Sequence, residues 1–138
     1  NQLNQIMAAC EAIRQGADEA IMLDQNGFVA ETNSTNLQMI KDGALILPTI
    51  DSQLPGITRA TMIQIAKQLG MEVQERNVTV SEYYNADEVF ICGPVGEGVP
   101  VKMIDGKKIG KQVPGPVTEQ FAEEYKKLTE SLGVSIDD

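Results

Sequence analysis

The sequence predicts a mixed α/β domain of the α+β kind, with antiparallel-rich sheets and packing helices. Three observations carry that prediction. Short apolar runs follow one another across Asn26-Gly27, Asp42-Gly43 and Asp105-Gly106, dipeptides that supply the left-handed backbone a hairpin turn needs. Residues 3–16, 54–70 and 116–132 change instead to helical spacing. No G-x-G-x-x-G follows a strand, so a doubly wound dinucleotide fold has no support. With 138 residues the chain is expected to form one domain that buries about two-thirds of its unfolded surface.

The elements follow in order. Leu3, Ile6, Met7, Cys10 and Ile13 fall on one helical face, and Gly16 is a natural stop. The chain opens already inside this helix, which predicts that more polypeptide precedes it. Ala20–Asp24 reads as a short buried strand, Gln25-Asn26-Gly27 as a tight turn and Phe28–Asn33 as the returning strand. Asn36–Gly43 reads as a third strand and Ala44–Pro48 pairs back on it, so a meander is expected up to this point. Met62, Ile65, Ala66 and Leu69 then share a helix face closed by Gly70. Met71–Val80 reads as a strand, Ser81 as the cap of a short helix through Tyr84, and Asp87–Gly93 as a further strand. Gly98–Gly110 reads as a hairpin turning at Asp105-Gly106. Pro116 opens the last helix, with Val117, Phe121, Tyr125, Leu128 and Leu132 on one face, and a frayed tail after it. Ala17–Ala20 and Ala86–Val89 echo one another, too briefly to define a repeat.

Composition excludes several function classes. A formal net charge of −9 argues against nucleic acid, whose phosphates require a basic face. Lys102, Lys107, Lys108 and Lys111 cluster around the predicted hairpin and read as its solvated surface. No apolar run reaches the roughly 18 residues of a membrane span, and no signal-peptide pattern is present, so a cytoplasmic protein without a membrane partner is expected. With no His and no CxxC, the chain has neither a common zinc cluster nor a Ser-His or Cys-His pair. Cys10 and Cys92 are expected as two reduced, buried thiols. Asn33-Ser34-Thr35 and Asn77-Val78-Thr79 match a glycosylation acceptor, a match without weight in a chain lacking a secretory signal.

Three stretches could carry chemistry. In Leu54-Pro55-Gly56-Ile57-Thr58-Arg59 a tight turn runs straight into a helix. The Ile57 and Thr58 amides then sit in its unpaired first turn, backed by the positive end of the dipole, a corner suited to phosphate. Taken alone, the six residues also read as an ordinary helix start, since most helix N-termini bind nothing. Glu31 interrupts a strand, sharing a face with Val29 while Phe28 and Ala30 point the other way. It is either a strand end emerging into solvent or a carboxylate aimed at a cationic ligand, oriented by the hydroxyls and amides of residues 32–36. Within Cys92–Val101 a strand ends in glycine, and the amides of Val95 and Gly96 are placed to form an anion nest, or else a plain connection. Together, a phosphate corner, a carboxylate and an anion loop suit a phosphorylated aromatic cation.

The segments EAIRQGADEAIMLDQNGFVAETNSTNL, KDGALILP, LPGITR, NADEVFICG, GVPVKMIDGKKIG and PGPVTEQF, in that order, resemble the C-terminal half of a branched-chain amino acid aminotransferase. That family comprises fold-type IV enzymes using pyridoxal 5′-phosphate. The likeness spans roughly Asn1 to Leu132. It implies that the whole chain, 1–138, is a single C-terminal, cofactor-binding domain. It implies that Glu31 pairs with the pyridine nitrogen, that Leu54 packs on the ring face, and that the Ile57 and Thr58 amides hold the phosphate. Val95 and Gly96 match the loop whose amides receive the substrate carboxylate.

Departures from the family accompany these matches. Pro94 stands where the family usually has Thr, a phosphate ligand, and proline offers neither hydroxyl nor amide. Gln2 stands where a Tyr commonly approaches the ring hydroxyl. The lysine to which the family attaches its cofactor lies a few residues before the equivalent of Asn1, and no lysine here takes its place; the nearest, Lys41, follows the third strand. The resemblance therefore implies an amino-transfer function between Leu, Ile or Val and 2-oxoglutarate, with an amino acid and a 2-oxo acid as small-molecule partners. This chain is expected to lack that activity alone. Its missing N-terminal domain and a homodimer or higher homo-oligomer are the expected protein partners. Two alternatives stay open: a D-amino acid aminotransferase or aminodeoxychorismate lyase of the same fold, and a non-catalytic, dimer-forming domain.

Overall fold

The computed structural model describes residues 2–93 and 96–132. In chain order the elements are α1 (Leu3–Arg14), β1 (Ile21–Leu23), β2 (Val29–Thr32), β3 (Asn36–Lys41), β4 (Ala44–Leu47), α2 (Ile57–Gln68) and β5 (Val73–Glu75). Then come α3 (Val80–Tyr84), β6 (Glu88–Gly93), β7 (Gly96–Pro100), β8 (Met103–Ile104), β9 (Lys107–Lys108) and α4 (Pro116–Ser131). A five-stranded sheet of order β5-β4-β3-β6-β7 forms the centre, and every pair in it is antiparallel except β4 with β5. The mixed, antiparallel-rich architecture expected from the turns is present.

Both faces of the central sheet are covered, which explains why its strands read as near-continuous apolar runs. Leu37 and Met39 on β3, Ala44 and Ile46 on β4, and Val89 on β6 point into one core, closed by Val29, Tyr83, Ile104 and Ile109. Ile40, Leu45, Leu47, Phe90 and Cys92 alternate to the opposite face, against Met62, Ile65 and Ala66 of α2 and Phe121 of α4. The Phe90 and Phe121 rings meet at 5.5 Å between centroids. Each such side chain, fully withdrawn from water, contributes roughly 1.5–3 kcal/mol. The helical periods over residues 62–69 and 117–128 thus mark the faces that seat α2 and α4.

Four expectations are corrected. The meander is two pieces: β1 pairs only with β2, and β3 pairs with β4 and β6. Between them the Thr32 hydroxyl oxygen accepts the Thr35 N–H at 2.8 Å, while the Thr32 N–H donates to the Thr35 carbonyl at 2.9 Å. This hydroxyl turn redirects the chain into another sheet. The strand expected over Met71–Val80 is confined to β5. Glu82 reaches back to accept the Thr79 N–H at 2.9 Å and hydroxyl at 3.0 Å, so α3 begins at Val80, capped by Thr79 rather than Ser81. Cys92 is buried but Cys10 is exposed. On α1 only Ala12 is buried, and Ile6, Met7 and Ile13 keep more than half their surface in contact with solvent. The tail beyond Leu132 lies outside the described residues.

Candidate functional site

The three chemical stretches meet at one end of the central sheet. β3 starts there with Asn36, which stands opposite Cys92 near the end of β6. Gly93 follows, where a Cβ would sit tight against the Thr35 side chain, and is paired with Gly96 at the start of β7. β2 delivers Glu31 to the same end, and the chain returns from β4 through a 3-10 turn at Ile50–Ser52 to the Leu54–Gly56 corner and α2.

Glu31 is half-buried rather than emerging into solvent. Its Oε2 accepts the Leu54 N–H at 3.1 Å and the Asn36 side-chain amide at 3.3 Å. No hydrogen-bond partner of its Oε1 occurs among the described residues. The carboxylate is therefore bound directly to the corner that the sequence marked for phosphate, and one oxygen remains free to accept.

The corner has its own geometry. The Gly56 N–H donates to the Leu54 carbonyl at 2.8 Å, a γ-turn whose central position suits the fixed φ of Pro55. Gly56 is the N-cap of α2 and has no side chain to offer, so the Ile57 and Thr58 amides carry no side-chain cap; the first helical bond comes from the Ala60 N–H to the Gly56 carbonyl at 3.0 Å. A Cβ at Gly56 would run into Asn36 Oδ1, so only glycine lets the helix start this close to β3. The Leu54 and Ile57 side chains are among the most exposed large apolar groups described, at 69% and 87%, while Thr58 is buried.

Of the predicted site residues, Glu31, Leu54, Ile57 and Thr58 are brought together. Gly96 begins the strand beside them. Val95 and Pro94 lie outside the described residues. Gln2 is the exposed N-cap of α1 and makes no side-chain cap bond. Lys41 is at the opposite end of β3 from Asn36, its Nζ 3.4 Å from Asp87. The other lysines are in the last turn of α2, around the β8–β9 hairpin and on α4. At that hairpin Lys107 stacks on Tyr84, 3.9 Å above its ring.

Residue-by-residue reading placed Asn36 in the run that could orient Glu31, and missed two members of this site, Gln53 and Arg59. Asn36 and Gln53, both buried, join their side chains at 2.9 Å, and Gln53 anchors the pair to the carbonyls of Pro48 and Thr49. Arg59, also buried, donates to the Pro48 carbonyl at 2.9 Å and Glu75 at 2.8 Å, pinning the first turn of α2 to the ends of β4 and β5. Its signal was present: a cation in a helix's first turn opposes the dipole unless something else holds it. Nearby, Cys92 accepts a hydrogen bond from Gln38 at 2.8 Å. Burial pushes its thiol up to about 12, against the smaller opposing pull of Gln38 and Arg59, so it stays protonated.

An antiparallel-rich sheet covered on both faces thus brings a carboxylate onto the start of a helix whose first amides carry no side-chain cap. The chain belongs to the family Amino-transferase class IV, whose profile matches residues 1–104. It is 46% identical over 136 residues to "Branched-chain-amino-acid aminotransferase-like protein 2" of Arabidopsis thaliana, covering 99% of this chain and 24% of that protein. It is 43% identical over 123 residues to the branched-chain-amino-acid aminotransferase of Pseudomonas aeruginosa, covering 89% of this chain and 40% of that one. The branched-chain amino acid aminotransferase of Thermobaculum terrenum, solved in its PLP-bound holo form, superposes with a TM-score of 0.89 at 37% identity over 92% of this chain and 42% of that chain. The fold is that of the fold-type IV aminotransferases. The chain spans less than half the length of these relatives.

Proposed function

We propose that residues 1–138 form the C-terminal, cofactor-binding domain of a branched-chain amino acid aminotransferase that uses pyridoxal 5′-phosphate. One observation carries the reading: the Glu31 carboxylate is hydrogen-bonded to the Leu54 N–H, at the foot of a helix whose first amides are uncapped. The names of the relatives favour branched-chain substrates over the D-amino acid and aminodeoxychorismate alternatives.

The residues fit the cofactor. Glu31 Oε1 would accept a ring N–H and hold its charge, since an adjacent opposite charge favours the protonated form. The Ile57 and Thr58 N–H groups would donate to the phosphate with the helix dipole behind them, and Arg59 keeps that first turn in place. The exposed Leu54 side chain would cover one ring face, excluding water, and the Val95–Gly96 amides would orient the substrate carboxylate. When bound, the cofactor supplies an electron sink for the charge left as the α-proton departs. The proton itself needs a base, and no lysine of this chain sits at the site; a lysine supplied by another part of the protein would complete it. The chain alone is expected not to transaminate Leu, Ile or Val with 2-oxoglutarate.

Among the described residues no helix is long and apolar enough to cross a membrane. The reading includes a cytoplasmic location and a homodimer or higher homo-oligomer; the apolar Ile6, Met7 and Ile13 face of α1, which gains by being covered, supports the self-association. A two-dimensional NMR titration with pyridoxamine 5′-phosphate tests the site. The Ile57 and Thr58 amides should shift, and Glu31→Gln should weaken binding about tenfold, the loss of one charge-assisted bond. Shifts confined to other regions, or indifference to Glu31→Gln, would overturn the proposal.

A further inference from the structure

We infer that Asn36, oriented by Gln53, is the positioning residue that sets the Glu31 carboxylate for a cationic ring. The inference rests on the cofactor reading above and deepens it. Asn36 itself stays behind the carboxylate and is not placed against the ligand.

The orientation of both amides follows from hydrogen-bond accounting. Gln53 Nε2 spends its two hydrogens on the carbonyls of Pro48 at 2.7 Å and Thr49 at 2.9 Å. Gln53 must therefore turn Oε1 towards Asn36, and an acceptor there requires the NH2 side of Asn36, which meets it at 2.9 Å. Asn36 Oδ1 is then directed at Gly56, into the volume a Cβ would take. The second Asn36 hydrogen faces the Leu54 carbonyl at 3.0 Å and Glu31 Oε2 at 3.3 Å.

A closed clamp results. The Leu54 N–H donates to Glu31 Oε2 at 3.1 Å, while the Leu54 carbonyl and the same Oε2 both face Asn36 Nδ2. Glu31 Oε2 is held from two sides and Oε1 is left outward. The backbone of Asn36 is fixed by its place opposite Cys92 in the β3–β6 ladder. Both amides are more than nine-tenths buried, so water does not substitute for either. An aspartate at position 36 would face three acceptors, Gln53 Oε1, the Leu54 carbonyl and Glu31 Oε2, and would drive the Glu31 carboxylate off the corner.

Amide hydrogen exchange, read residue by residue, tests this on the chain as it stands. Asn36→Asp should speed exchange of the Leu54 N–H about tenfold, as loss of its bond to Glu31 implies, while Phe90 in the β6 core keeps its protection. The same variant should weaken pyridoxamine 5′-phosphate binding about tenfold in the NMR titration. Should Asn36→Asp lose Phe90 protection, Asn36→Ser decides the matter; its short neutral side chain cannot bridge Glu31 and Gln53, and about threefold faster Leu54 exchange is expected. Leu54 exchange within a factor of two of the native chain in the folded variant overturns the inference, whatever the binding shows. If Leu54 responds but binding is indifferent to both Asn36→Asp and Glu31→Gln, the positioning stands and the cofactor reading falls.

Discussion

Two helices of this chain start almost alike and end up with opposite roles. α2 opens with Pro55-Gly56-Ile57-Thr58, and α4 opens with Pro114-Gly115-Pro116-Val117-Thr118. In each, glycine is the N-cap and offers no side-chain bond. In each, a Cβ on that glycine would collide with a polar side chain from the central sheet, Asn36 at α2 and Glu88 at α4. At α4 the intruder is an acceptor for the helix. Glu88, 9% exposed, accepts the Val117 N–H at 3.0 Å and the Thr118 N–H and hydroxyl at 2.7 Å each. At α2 the intruder is an amide already committed to Gln53 and Leu54, and the Ile57 and Thr58 amides receive no acceptor among the described residues. The chain supplies its own anion to one helix start; under the cofactor reading proposed above, the other is left for an anion from outside. A glycine cap in sequence therefore does not distinguish a sealed helix start from an open one; the residue facing it does.

The largest expected effect lies at the sealed end. Glu88→Ala removes the carboxylate that satisfies three donors, two of them buried, and the unfolding free energy should fall by about 3 kcal/mol. Urea denaturation measures this, and the pyridoxamine 5′-phosphate shifts at Ile57 and Thr58 should persist. A loss below about 1 kcal/mol would show the two helix starts to be more alike than the contacts imply.

Next in size is Gly56→Ala at the open end. The added methyl must push the Asn36 amide aside, so its main consequence is on the site: about tenfold weaker ligand binding with a stability change of only about 1 kcal/mol. The titration and urea melts together separate the two. A large stability loss without a binding change would assign Gly56 the same structural duty as Gly115.

Thr118→Val sharpens the comparison further. It deletes one 2.7 Å bond to Glu88 and keeps the side-chain volume, so a loss of about 1.5 kcal/mol is expected by urea denaturation. Neutrality would mean that the two backbone N–H groups alone hold Glu88.

The open and sealed ends differ in how legible they were. Glu31, Leu54, Ile57 and Thr58 stood out because a carboxylate inside an apolar strand and a Pro-Gly before a helix break local rules, and their adjacency in space is what the fold adds. Turn chemistry at Asn26-Gly27, Asp42-Gly43 and Asp105-Gly106 was readable because the backbone there needs positive φ, observed at Gly27, Asp42, Gly43, Asp105 and Gly106. Asn36 was legible as one of the residues 32–36 able to orient Glu31, whereas Gln53 and Glu88 were hidden because each looks like an ordinary polar residue until a partner 17 to 30 positions away is known. A further weak hint existed in Asn36, a poor strand former at the first position of a strand. The split of the meander turned on a hydroxyl turn at Thr32–Thr35 that hydrophobic spacing does not register. The exposure of Cys10 could not be foreseen either, since the helical spacing of α1 identifies an apolar face without saying what covers it.

The smallest effect comes from another carboxylate on a backbone N–H, this one at the surface. Asp87, beside Glu88, accepts the Asp42 N–H at 2.8 Å and so holds the β3–β4 turn, where Asp42 and Gly43 both have positive φ. That backbone bond lowers the Asp87 pKa below 3.8, against slight burial and with help from Lys41, 3.4 Å away, and more distantly Lys111. A carboxylate with a folded pKa below its unfolded one stabilises the protein above the unfolded value. The stabilisation is lost as pH falls from about 4 through the lower folded value. Because the group is half exposed, solvent screening limits the contribution to about 0.5 kcal/mol. In urea melts between pH 7 and pH 2.5, Asp87→Asn should remove that small part of the acid destabilisation. An Asp87→Asn chain with the same pH profile as the native one would show that an exposed carboxylate on an amide contributes nothing measurable, and that burial alone gives Glu88 its strength.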